Sequence, residues 1–65
     1  MTTAELEEKV KTTKTILTIY GEEADRLAKV IRESYDNYDA TLEHAWICRV
    51  IESHERVLAV LEEEL

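Results

Sequence analysis

A single glycine and the complete absence of proline are the features that most constrain this chain, because both residues interrupt helices. Few positions along the 65 residues can therefore end a helix. The only glycine, Gly21, lies inside a periodic stretch and costs about 1 kcal/mol relative to alanine in a helix interior. The sequence favours an all-α fold built from long helices.

Apolar residues recur in steps of four and three through the first half of the chain, which predicts one helix over about residues 3–36 with a cap at Thr2. The pattern passes Gly21 without a change of phase. The alternative is a three-helix bundle in which Gly21 ends the first helix. This apolar seam comprises Leu6, Val10, Thr13, Leu17, Tyr20, Ala24, Leu27, Ile31, Ser34 and Tyr38, with Tyr35 beside it.

A second helix is predicted over about residues 40–63, after a turn at residues 36–39. Aspartate and asparagine favour turns and helix N-caps, and Asp39 is the expected cap. The apolar residues of this helix cover an arc of about 140°, which is wider than contact with one neighbouring helix requires. They are Trp46, Ile47, Val50, Ile51, His54, Val57, Leu58 and Leu61.

Two helices of this size bury little apolar surface, since a chain below about 70–80 residues seldom gains more than about 3–5 kcal/mol from its core. The single cysteine excludes an internal disulfide framework. We expect one helical domain over residues 1–65, a hairpin that dimerises into a four-helix bundle. The expected interface with a second copy or a partner holds Leu6, Val10, Leu17, Tyr20, Leu27, Ile31, Tyr35, Tyr38, Trp46, Ile47, Val50, Ile51, His54, Val57, Leu58 and Leu61.

Fifteen acidic residues outnumber eight basic ones, and the net charge is −7. This charge opposes direct binding to nucleic-acid phosphates and to anionic membrane surfaces. No apolar run is long enough to span a bilayer, and the start of the chain lacks the basic and apolar regions of a secretory signal. A lone cysteine fits a reducing compartment, so we expect a cytoplasmic protein.

Two histidines and the cysteine are the candidate metal ligands. His44 and Cys48 are four residues apart and could hold one zinc ion, completed by a second pair across a dimer axis. Structural zinc needs four ligands, however, and such a pair on an outer helix side is usually without a role. His54 is expected to be a packed histidine hydrogen-bonded to a neighbour. We predict no resident metal or cofactor.

Catalysis is not expected from this sequence. Ser34 and Ser53 have no histidine and acid at triad spacing, and one glycine cannot form a phosphate-binding loop. We expect a small non-enzymatic regulator or inhibitor that binds another protein by helix packing, with size alone suggesting a phage or other mobile element as its source.

Two alternative functions remain open at this point. In the first, acidic side chains of the second helix mimic a nucleic acid on a DNA- or RNA-binding protein. In the second, the dimer is a scaffold for a His44–Cys48 metal site. The acidic face in question comprises Glu52, Glu55, Glu62 and Glu63.

Overall fold

The computed structural model describes residues 2–34 and 37–65, which form two α-helices. Helix α1 spans Thr3–Glu33 and helix α2 spans Tyr38–Glu64. The helices pack against each other along their lengths, and the molecule measures 49 × 14 × 13 Å. The predicted all-α helical hairpin is therefore confirmed.

Gly21 lies within α1, and the helix continues through it without a break. Its φ is not positive, so the backbone there does not require glycine. A Cβ added at this position would meet nothing within 4 Å. The alternative in which Gly21 ends the first helix is wrong, because the regular apolar spacing on both sides keeps the two halves of α1 on one axis.

Hydroxyl groups satisfy backbone groups along α1. Thr2 is the N-cap, and its Oγ1 accepts a hydrogen bond from the backbone N–H of Glu5 at 3.2 Å, as predicted. Thr13, Thr15 and Thr18 donate to carbonyl oxygens four residues earlier at 2.8, 3.0 and 3.1 Å. The hydroxyl groups are thus satisfied within the helix, although β-branched threonines favour strands.

The cap of α2 is Asn37, whose Oδ1 accepts a hydrogen bond from the backbone N–H of Ala40 at 3.0 Å. The expectation that Asp39 forms this cap is wrong, because α2 already begins at Tyr38. Asp39 lies inside the first turn, where its carboxylate is near the positive end of the helix dipole. Asp36, predicted to belong to the turn, lies outside the described residues.

The contact between the helices is narrow. Leu27, only 2% exposed, packs with Ala40 and Ile47, and partly buried apolar residues surround this cluster. In the described part of the chain, no large side chain falls below 2% exposure. The buried residues are Leu6, Val10, Thr13, Leu27, Ala40 and Ile47. The hairpin thus has a thin core and a large remaining surface.

Replacing Gly21 with alanine is expected to stabilise the protein by about 0.5–1 kcal/mol, because alanine has less backbone freedom to lose on folding. Thermal unfolding followed by circular dichroism, at one fixed protein concentration, measures the change. Ala59→Gly, at an exposed position of α2, is the matched reverse substitution and is expected to destabilise by a similar amount. A destabilised Gly21→Ala protein would contradict the free space seen at this position.

Asn37→Ala is expected to destabilise the protein by about 1 kcal/mol, because the N–H of Ala40 loses its acceptor. Asp39→Ala is the matched control and removes only a favourable charge near the helix start, for which about 0.3–1 kcal/mol is typical. Urea unfolding of both variants gives the two values. A larger loss for Asp39→Ala would assign the cap to Asp39 after all.

Candidate functional site

Helix α2 carries apolar residues on two sides. One side packs against α1 through Ala40, Ile47 and Ile51. The second side is turned from the first by about 125°, calculated at 100° per residue. We call this second side the α2 stripe, and it comprises Leu42, Trp46, Val50, Ser53, Val57 and Val60.

The α2 stripe is not covered by α1. Leu42 and Trp46 expose 53% and 58% of their surfaces, and Val57 and Val60 expose 49% and 56%. Isolated exposed apolar residues are normal, but these recur every three or four residues over about 27 Å of helix. An exposed apolar strip of this kind, interrupted by Ser53 and by half-buried Val50, is a candidate contact surface.

Helix α1 extends the same apolar surface. A groove of about 450 Å³ between the helices is lined by Val57 and Leu61 of α2 and, on α1, by charged and hydroxyl side chains: Glu5, Glu8, Lys9, Thr12 and Thr13. The Thr12 side of α1 therefore lies next to the α2 stripe. Ile16 and Ile19 follow Thr12 by four and seven residues and share its side of the helix, where Ile19 is 59% exposed. We call the α2 stripe together with Ile16 and Ile19 the open face.

An ion pair borders the open face on α1, four residues after Ile19. Arg26 donates two hydrogen bonds to the carboxylate of Glu23, with Nε to Oε2 at 3.0 Å. The hydrogen bond from Arg26 lowers the pKa of the Glu23 carboxyl, and the same bond raises the pKa of the guanidinium. Any stabilisation from this pair is present at neutral pH and is lost as the pH falls through the lowered pKa of Glu23. The pair is solvent-accessible, so its effect on stability is small.

His44 and Cys48 lie on the opposite side of the hairpin, where His44 and Asp25 line a second groove. The Sγ atom of Cys48 lies 3.8 Å from Nδ1 and 3.9 Å from Nε2 of His44. Because the sulfur is almost equally far from both nitrogens, it is not aligned with either lone pair and the contact is weak. No group of three or more histidine, cysteine or acidic side chains that could hold a metal occurs among the described residues.

His54 faces α1 and is half-buried. Its Nδ1 donates a hydrogen bond to the carbonyl oxygen of Val50 at 2.8 Å, and its ring centroid lies 6.1 Å from that of Tyr20. The carbonyl can only accept, so this bond places a proton on Nδ1. The expectation of a packed histidine with a hydrogen-bonded neighbour is confirmed, and the neighbour is the backbone of its own helix.

The residues predicted at the interface divide into two groups. Most of them are buried or half-buried, and the rest are exposed to solvent. The prediction that Tyr38 continues the seam of α1 is wrong, because α1 ends at Glu33 and Tyr38 begins α2 with 72% exposure. Tyr35 lies outside the described residues. Of the predicted set, Trp46 and Val57 are exposed on the open face, whereas the buried or half-buried members are Leu6, Val10, Leu17, Tyr20, Leu27, Ile31, Ile47, Val50, Ile51, His54, Leu58 and Leu61.

Leu42 and Val60 belong to the α2 stripe but are absent from the predicted interface. Their spacing contained the signal, since Leu42 precedes Trp46 by four residues and Val60 follows Val57 by three. Ile19 was also missed, because it lies in the β-branched segment of α1 outside the seam. The apolar surface available to a partner is therefore wider than the predicted set.

Two glutamates of the acidic face, Glu55 and Glu62, point away from the α2 stripe, whereas Glu52 and Glu63 lie about 90–115° from it, calculated at 100° per residue. All four of its glutamates are exposed, and none forms an ion pair with another described residue. The distances between them along the helix are uneven, with gaps of three, seven and one residues. Its members are Glu52, Glu55, Glu62 and Glu63.

Comparison of this chain with models of protein families, with characterised proteins and with solved structures found no match. Within the described residues, neither helix contains a stretch that is both long and apolar enough to cross a membrane. The functional conclusion therefore depends on the surfaces of the hairpin.

Proposed function

We propose that this protein is a non-enzymatic regulator or inhibitor that binds another protein by helix packing and acts as a homodimer. The observation that carries the proposal is the open face, with four large apolar side chains of one helix about half exposed. Exposing such a strip to water is unfavourable at roughly 25 cal/mol per Å² of apolar surface. A second chain that covers it removes this cost.

The total surface supports the same proposal. A compact globular protein of this mass exposes about 4,300 Å². This chain exposes 5034 Å². The excess of roughly 700 Å² is close to the roughly 800 Å² that each partner buries in a standard protein–protein interface. One additional chain of the same kind would bring the exposed surface per chain back to the ordinary range.

A dimer that buries the open face leaves two surfaces for the regulated protein. Tyr38 is 72% exposed at the turn end of the hairpin, and tyrosine is frequent among residues that dominate binding energy. The net charge of −7 per chain favours a partner with a basic surface and speeds its encounter. We therefore propose that the partner contacts the outer sides of the helices.

Val57→Glu is expected to convert the dimer into a monomer, because it would bury an unpaired charge in the centre of the open face. Light scattering behind a sizing column, over a dilution series, should give a wild-type mass near twice 7.6 kDa. Trp46, the only tryptophan, lies on the same face, so its fluorescence should shift to longer wavelength when the dimer dissociates.

Ala59→Glu is the matched control for Val57→Glu, because it adds the same charge to an exposed position two residues away, outside the α2 stripe. This variant is expected to remain dimeric. A wild-type protein that has the mass of one chain at every concentration, with its full helical signal, would contradict the homodimer.

Mimicry of a nucleic acid is the second candidate function, and the exposed glutamates of α2 without ion-pair partners among the described residues support it. Glu52→Lys combined with Glu55→Lys separates the two proposals. If helix packing dominates, the double variant slows association and changes its salt dependence but leaves the dissociation rate nearly unchanged, because both residues are outside the open face. If mimicry dominates, the double variant loses binding and Val57→Glu affects it less.

A further inference from the structure

We infer that the two copies meet through α2, with the α2 stripes of both chains in antiparallel contact. This inference deepens the proposed function and rests on its homodimer. The six residues of the α2 stripe then pack against the same six residues of a second chain. The dimer axis crosses the stripe between Val50 and Ser53.

The distribution of apolar side chains along the open face favours contact between the two α2 helices. The α2 stripe is apolar from Leu42 to Val60 except for Ser53. On α1, the apolar part ends after Ile19, where the Glu23–Arg26 pair follows. Placing α2 over the partner's α1 would desolvate this ion pair beneath apolar side chains, which is costly. Placing α2 over the partner's α2 sets apolar side chains against apolar side chains, except at Ser53.

The sizes of the side chains suit an antiparallel alignment. With the axis between Val50 and Ser53, Trp46 lies opposite the partner's Val57. Large side chains then face small ones, which is how packed helices interdigitate. The small Ser53 near the axis allows the closest approach of the two helices. A parallel alignment would instead set the two Trp46 side chains against each other.

Charge repulsion points to the same orientation. The last part of α2, residues 52–64, contains five glutamates and one arginine. In a parallel pair the two copies of Glu62–Glu64 would lie on adjacent helices, whose axes are about 8–10 Å apart. In the antiparallel pair they lie about 35 Å apart along the axis, several times the Debye length of about 8 Å at physiological salt.

The arrangement also fixes where the His44–Cys48 pairs lie. Both residues are on the side of α2 turned about 150° or more from the α2 stripe, calculated at 100° per residue. In the antiparallel dimer the two pairs therefore face outward and cannot meet across the axis. A shared metal site built from both pairs would require a different dimer.

Spin-label distance measurements test the orientation. Two single-cysteine proteins, Glu52→Cys and Glu63→Cys, are made with Cys48→Ser to remove the native thiol. Both positions are exposed and outside the open face, so the dimer should persist. At 1.5 Å per residue, the antiparallel pair separates the two copies of residue 63 by about 35 Å along the axis but brings the two copies of residue 52 to nearly the same height.

We expect the distance between labels at position 63 to exceed that at position 52 by about 20 Å or more. Light scattering on the same labelled samples reports their mass. A dimeric mass with similar distances at both positions would overturn the antiparallel α2 contact and leave the proposed homodimer standing. A monomeric mass would overturn the homodimer and the inference together.

Discussion

The packing of Leu27 against Ala40 and Ile47 is the contact on which the rest of the hairpin depends. Leu27 is the most buried residue in the described part of the chain, and its packing determines which side of each helix faces the other. Because α2 has a wide apolar arc, satisfying this contact leaves the remainder of the arc outside. The α2 stripe is therefore a direct result of how the core is formed. The surface that we propose for binding and the contact that stabilises the fold belong to one apolar arc.

A fold of two helices restricts what the protein can do chemically. The grooves between the helices are shallow, and the described residues contain no metal-ligand group of three or more. The surface that the hairpin offers for binding lies along its helices, and α2 has one apolar side and one acidic side. These sides point in different directions, so a dimer formed through the first leaves the second available. Self-association and binding of a charged partner are thus compatible on a short chain.

The regular spacing of apolar residues was sufficient to predict the helical hairpin, because the helical period appears directly in positions such as Leu6, Val10 and Leu27. The cap of α2 was misplaced, since Asn37 and Asp39 have similar preferences and only the backbone conformation selects between them. The sequence alone also did not show which residues of the wide apolar arc of α2 contact α1. Which residues of α2 contact α1 depends on the rotation of α2 about its axis. Packing around Leu27 sets this rotation, and the spacing of apolar residues in the sequence does not reveal it.

The threonine hydroxyls of α1 have a consequence for how a partner meets this helix. Thr15 and Thr18 are exposed, but each has already donated its hydroxyl hydrogen to a carbonyl oxygen of its own backbone. These two side chains therefore present methyl groups and hydrogen-bond acceptors to an approaching protein. Recognition of carbonyl or carboxylate oxygens on this side of α1 is left to the lysines that lie beside them, Lys11 and Lys14.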